Sequence, residues 1–169
     1  MSNPRVLARM AARARSALTQ SCNILSNSGS ALNSAGGRNA TLANWTPITV
    51  TAWSSGSTYS RGDTATGSDG KVYHSLSSFN TGNDPTTASA YWAQGFPCLV
   101  WRDKIFSVTQ EMAGVSQDTS RFKAAVPLGT PVNSKMRIAV IGGSVFEIVG
   151  VDSNHANAVQ IILDCKLIH

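Results

Sequence analysis

Near the end of the chain Val159, Ile161, Leu163, Cys165 and Leu167 occupy every second position, and Gln160, Asp164 and Lys166 stand between them. That is the two-residue period of a strand with one buried face, not the 3.6-residue period of a helix. Two β-rich runs precede it, residues 137–141 and 144–151, separated by Gly142-Gly143. Glycines at this point accept the positive φ of a tight hairpin turn. The chain is therefore expected to end in a three-stranded antiparallel meander, with one face on a core and the other partly wet. Residues 106–112 and 121–127 add two strand candidates joined by a polar loop over 113–120.

The composition agrees with short strands and turns. The 169 residues are 42% hydrophobic, enough for a packed core, yet only 14% charged. The net charge of +5 is unevenly spread: Arg5, Arg9, Arg13, Arg15, Arg38 and Arg61 all precede Asp63, the first acidic residue. The first 62 residues thus carry +6 and the remainder −1. Such a segment either meets an anionic neighbour or is the solvated face of a helix. Pro4 suits a first helical position, and Leu7, Met10, Ala11, Ala14 and Leu18 follow at three- and four-residue spacing. An amphipathic N-terminal helix is expected, with Arg5, Arg9 and Arg13 as an i, i+4 row on another flank. A short strand over 22–25 and a Ser/Asn/Gly-rich loop over 26–39 come next.

Several functions are disfavoured by what the chain lacks. Cys22, Cys98 and Cys165 stand far apart, without CxxC or Cys/His spacing, so neither a zinc site nor a disulfide framework is indicated. Each lies in an apolar run and is expected to be buried and reduced. No stretch approaches the roughly 18 apolar residues of a membrane span. The glycine pairs at Gly36 and Gly142 match neither a phosphate-binding loop nor a dinucleotide fingerprint, and no cofactor is expected. His74, His155 and His169 have no nucleophile or paired carboxylate arranged beside them, so no catalytic residue is assigned. His74 is expected on the surface of a small sheet.

Residues 50–94 form a compositional island with its own aromatics and turns. Its carrying residues are Ala52-Trp53, Gly56, Tyr59-x-x-Gly62-Asp63, Asp69-Gly70-Lys71-Val72-Tyr73 and Pro85 before Tyr91-Trp92. With these the island resembles the chitin- and cellulose-binding modules of carbohydrate-binding families five and twelve, which are three-stranded miniature sheets. Where that family places adjacent exposed aromatics, this chain reads Ser75-Leu76-Ser77-Ser78-Phe79. Trp53, Tyr73 and Trp92 are expected in the core of so small a module, leaving Tyr59 and Phe79 as candidate carbohydrate contacts.

Read across the island, the strand at Trp45 runs on to the Pro97-Cys98 step. The flanking residues 1–49 and 95–169 then resemble the head-closure (stopper, head–tail joining) proteins of tailed bacteriophages. The resemblance rests on the basic N-terminal segment, residues 19–25, Gly36-Gly37, Trp45, Pro97-Cys98, residues 126–129, 143–152 and 161–166, in that order. It implies a mainly β chain: a small β-barrel with an N-terminal α-helix, into which the three-stranded miniature domain is inserted. It also implies a structural virion protein of the neck, assembled in the bacterial cytoplasm as a homo-oligomeric ring. The expected partners are a portal, adaptor or connector protein, a tail terminator or tail tube protein, and packaged DNA. Arg5, Arg9 and Arg13 would dock on the connector, and Gly114, Ser116, Gln117 and Asp118 would face the channel or the tail. Two other readings stay open: a carbohydrate-binding protein, which accounts for the island, and an imported mitochondrial protein, which accounts for residues 3–20.

Overall fold

A computed structural model describes residues 17–27, 45–103, 110–112, 115–117, 121–152 and 159–168. Among them the regular structure is entirely β. The first strand, β1 (Gln20–Asn27), is longer than the 22–25 run suggested, and β2 (Trp45–Pro47) pairs with its far end. After the island come β8 (Phe96–Arg102), β11 (Arg121–Pro127), β12 (Arg137–Val140), β13 (Val145–Asp152) and β14 (Gln160–Ile168). The C-terminal meander forms as expected: β12, β13 and β14 are successive antiparallel neighbours. Gly142 takes φ 73° in the turn between the first two.

The strand order β12-β13-β14-β11-β8-β1 returns to its start, because β1 also pairs with β12 through Cys22↔Val140 to Leu25↔Arg137. The result is a closed six-stranded barrel. Alternation then dictates the core. Cys22 and Ile24, Phe96 and Cys98, Ala124 and Val126, Phe146 and Ile148, and Ile161, Leu163 and Cys165 are buried at every second position of their strands. A bulge falls between Ile148 and Gly150, where Ile148 faces Cys165 and Gly150 faces Asp164. The extra residue, Val149, is turned outward. Pro97 is tolerated within β8 because β11 pairs only from Leu99 onward, so no ladder bond on that edge needs its missing N–H.

All three cysteines are free and buried in this core. Cys22 faces Phe96 across β1–β8, which places it diagonal to Cys98 on the same inner face. The neighbouring Cys98 thiol and burial push Cys22 well above the usual thiol range. Burial, with Asp164 beside it, pushes Cys165 up to about 12.

The island supplies two small sheets. One is β4 (Thr64–Thr66), β5 (Val72–Ser75) and β7 (Trp92–Gln94); the other is β3 (Thr58–Tyr59) with β6 (Asn80–Thr81). It is bonded to the barrel at several points. At the island's first residue, Thr66 Oγ1 donates to the Val50 carbonyl and accepts from the Val50 amide, and the Val50 side chain packs against the barrel's apolar cluster. Val72 is buried in the same apolar cluster as the barrel strands. Between β7 and β8 the only residue is Gly95, whose amide donates to Val72 O at 2.7 Å. Gly95 has φ 89°, and a Cβ there would lie 2.7 Å from the Cys22 carbonyl oxygen. Both the conformation and the space require glycine.

Two outcomes follow for experiment. Gly95→Ala should lower the free energy of unfolding in urea by at least about 2 kcal/mol, whereas Gly70→Ala, with φ 77° but open space around it, should cost roughly 1 kcal/mol. Iodoacetamide at mildly alkaline pH should leave all three thiols unmodified in the native protein and label all three in concentrated guanidinium chloride.

Candidate functional site

The residues with chemistry to offer converge where the island meets the barrel. They are set by the turn that leaves β3. Ser60 donates its amide to Asp63 Oδ2 at 2.8 Å, and the Asp63 amide returns to the Ser60 carbonyl at 2.9 Å. Gly62, with φ 85°, donates to Ser75 O at 2.7 Å. The Tyr59-x-x-Gly62-Asp63 motif is therefore a locked turn, and Arg61 is the side chain it presents. A cavity lies on each side of it. One, of about 370 Å³, runs between Tyr59, Asp63 and the barrel turn Leu128-Gly129. The other, of about 320 Å³, is walled by Leu18, Arg61, His74, Leu76 and Pro97.

His74 is not the surface residue the sequence suggested. It is buried, 8% exposed, and its Nδ1 lies 2.9 Å from the Gly95 carbonyl. The reason is position: β5 is the middle strand of its sheet, between β4 and β7, and His74 looks toward the seam. Burial holds the imidazole below its ordinary value of 6.5; the Gly95 carbonyl opposes this shift and the Arg61 charge adds to it. The ring is neutral at neutral pH and protonates only in acid.

The island aromatics divide differently from the expectation. Trp92 is buried, with its Nε1 donating to Asn83 O at 2.8 Å. Trp53 and Tyr73 are half-buried, and the Tyr73 hydroxyl donates to Asp69 Oδ2. Tyr59, read as a surface ring, is also half-buried: it packs edge-on against Trp92 at 5.1 Å, and its hydroxyl accepts from the Ser54 amide. Phe79 is 87% exposed and takes φ 61°, an unusual conformation for a bulky side chain. Leu76 and Tyr91, joined by Leu76 N–H to Tyr91 O at 2.8 Å, are exposed apolar residues of the same island.

Arg5, Arg9 and Arg13 lie outside the described residues, as do Gly114, Asp118 and the expected N-terminal helix up to residue 16; residues 17 and 18 are described and are not helical. Leu18, placed on the stripe of that helix, is buried just ahead of β1. Ser116 and Gln117 are not in a loop. They belong to β10 (Val115–Gln117), which pairs with β9 (Gln110–Met112) through Met112↔Val115, Ser116↔Glu111 and Gln117↔Gln110. The polar run was read as a loop because it has no apolar alternation. A two-stranded ribbon needs only backbone pairing, which side-chain pattern does not report. Among the described residues no group of three or more His, Cys, Asp or Glu is placed to hold a metal ion, and no helix is long and apolar enough to cross a membrane.

What the sequence did not single out is Arg61 with His74. The signal available was the turn motif around Arg61; nothing in the sequence marked His74, because β5 carries it inward through pairing on both edges.

Because the folded His74 has a depressed value, its neutral form is the one that favours folding. That contribution is complete above the unfolded value of 6.5 and is lost as pH falls from there toward the folded value. The urea midpoint should decline over that window, and His74→Gln should flatten the decline. Phe79→Gly should leave stability unchanged or raise it by up to about 1 kcal/mol, since glycine adopts φ 61° freely and an exposed ring contributes little packing. A loss of stability on this change would show that the ring is held for the fold.

Comparison of the chain with family models, with curated proteins and with solved structures gives no match, so its function is read from its own residues and geometry.

Proposed function

We propose that the chain is a structural subunit of a tailed-phage neck, a head-closure protein that forms a ring between the portal or connector and the tail. The observation that carries this reading is the closed barrel. The resemblance of residues 1–49 and 95–169 to head-closure proteins implies a small β-barrel, and the strands at residues 20–27, Pro97-Cys98, residues 121–127 and the C-terminal meander fold into one, with the Trp45 strand paired to the end of the first. In this reading the protein acts by self-association and by the surfaces it presents. The arginine row Arg5, Arg9 and Arg13 meets carboxylates of the connector or phosphates of the packaged DNA, both of which suit the forked geometry of guanidinium. The β9–β10 ribbon, with Ser116 and Gln117, faces the channel or the tail.

Exposed Phe79, with Leu76 and Tyr91, supports a second reading in which the island binds a chitin- or cellulose-like glycan at the neck surface. Affinity electrophoresis in gels containing chitin or cellulose derivatives tests it; retardation abolished by Phe79→Ala would establish the contact.

The principal test is assembly. Purified chain imaged by negative-stain microscopy should show rings, alone or on a portal. Truncation of residues 1–16, or replacement of Arg5, Arg9 and Arg13 by Glu, should leave the barrel folded but prevent docking and leave heads that lose DNA or lack tails. Heads that mature normally with the triple replacement would remove the arginine row from the docking surface.

A further inference from the structure

β2 and β8 lie in line on the same edge of β1. Leu25 pairs with Pro47 on that edge and with Arg137 of β12 on the other, and Cys22 likewise pairs with Phe96 and with Val140. The β2 ladder runs on past Pro47, because the Ile48 amide donates to Ile24 O at 2.9 Å. Continued from Ile48 by two residues, that register would set residue 50 opposite Cys22. The residue found there is Phe96, so residues 50–95, 46 in all, lie between two consecutive places of one ladder. Joined directly, Thr49 and Phe96 would be neighbours in a single strand with unbroken alternation: Ile48 packs on the barrel cluster, Thr49 is exposed, and Phe96 and Cys98 are the next two inward side chains.

The island leaves the ladder and rejoins it at this one step. On the way out the Val50 amide and carbonyl turn to Thr66 Oγ1. On the way back the Gly95 amide bonds Val72 O, its Cα abuts the Cys22 carbonyl, and Phe96 takes up the pairing with β1. Among the described residues every strand of the closed barrel lies outside 50–95. The island has an interior of its own, built on Trp92, which is 3% exposed and meets the Tyr59 ring. Its described members of the barrel's apolar cluster are Val50 and Val72. A unit whose two ends meet at one place can be added to a host, or removed from it, without moving the host's own pairings. We propose that the island is an in-register insertion into a single barrel strand, so that folding and self-association belong to the barrel and neither needs the island. The self-association half rests on the ring reading above; the insertion half does not.

The test compares two deletions with the full chain. Deleting residues 50–95 joins Thr49 to Phe96 and should give a cooperatively folded barrel in which the amide resonances of β11 and β14 keep their parent positions. Deleting residues 49–95 removes one further, exposed residue but sets Phe96 opposite Asn23 and turns it to the outer face. That variant should melt at least about 10 °C below the shorter deletion. In the full chain, Trp92→Ala should strip hydrogen-exchange protection from the Ser75 and Leu76 amides while protection in β11 and β14 stays within about threefold of the parent. Negative-stain images should show the shorter deletion in rings like those of the full chain. The insertion is overturned if the shorter deletion is unfolded, if it melts no higher than the longer one, or if Trp92→Ala strips β11 and β14 as it does the island. Rings formed by the full chain and lost from a folded shorter deletion would overturn the assignment of self-association to the barrel. A full chain without rings counts against the ring reading, and the insertion is then decided by the melting and exchange measurements.

Discussion

The barrel depends on β1 being hydrogen-bonded along both edges. One edge takes β12 over residues 22–25; the other takes β8 over 20–22 and β2 over 25–27. Without the β1–β12 ladder the sheet would be open, with two unprotected edge strands and an uncovered apolar face. Closing it satisfies those backbone groups and turns Cys22, Ile24, Ile138 and Phe146 into a common interior. The longest unbroken ladder, β11 on β14, runs from Arg121↔Lys166 to Pro127↔Gln160 and spans the opposite side. On its outer face Lys123 bonds Asp164 at 3.1 Å, directly across the register, a pair exposed enough to contribute little beyond alignment.

Because β8 must begin at β1, the chain leaving the island has to enter the barrel at one fixed point. Gly95 is that point. Its positive φ redirects the chain, its amide bonds β5, its carbonyl holds His74, and its bare Cα lies against the β1 backbone. The island is thereby anchored through β5 and β7, and its turn at Ser60–Asp63 is fixed over the start of β1. The two cavities lie along that junction, each lined by residues of the island and of the barrel.

Within the island, most of the motif residues have structural duties. Asp69 accepts from the Lys71 amide and the Tyr73 hydroxyl, Asp84 accepts from the Thr86 amide, and Trp92 reaches Asn83. Phe79, Leu76 and Tyr91 are the large apolar side chains the island leaves exposed. A miniature sheet has so little interior that its aromatic and turn residues are consumed in holding it together.

The sequence by itself determined the C-terminal meander, the strand at 121–127 and the buried state of the three cysteines. Each rests on a local cause: period-two alternation, a glycine pair at a turn, or an apolar neighbourhood. The turn motifs of the island were equally legible, since Gly62, Gly70 and their flanking aspartates act within a few residues of one another. Only the tertiary structure decided barrel closure, because the β1–β12 pairing joins residues more than a hundred positions apart and leaves no local pattern. It alone showed Ser116 and Gln117 in a backbone-paired ribbon. It alone brought Arg61 and His74 to one cavity, since a residue's burial in a middle strand depends on the neighbours that pair with it and not on its own side chain.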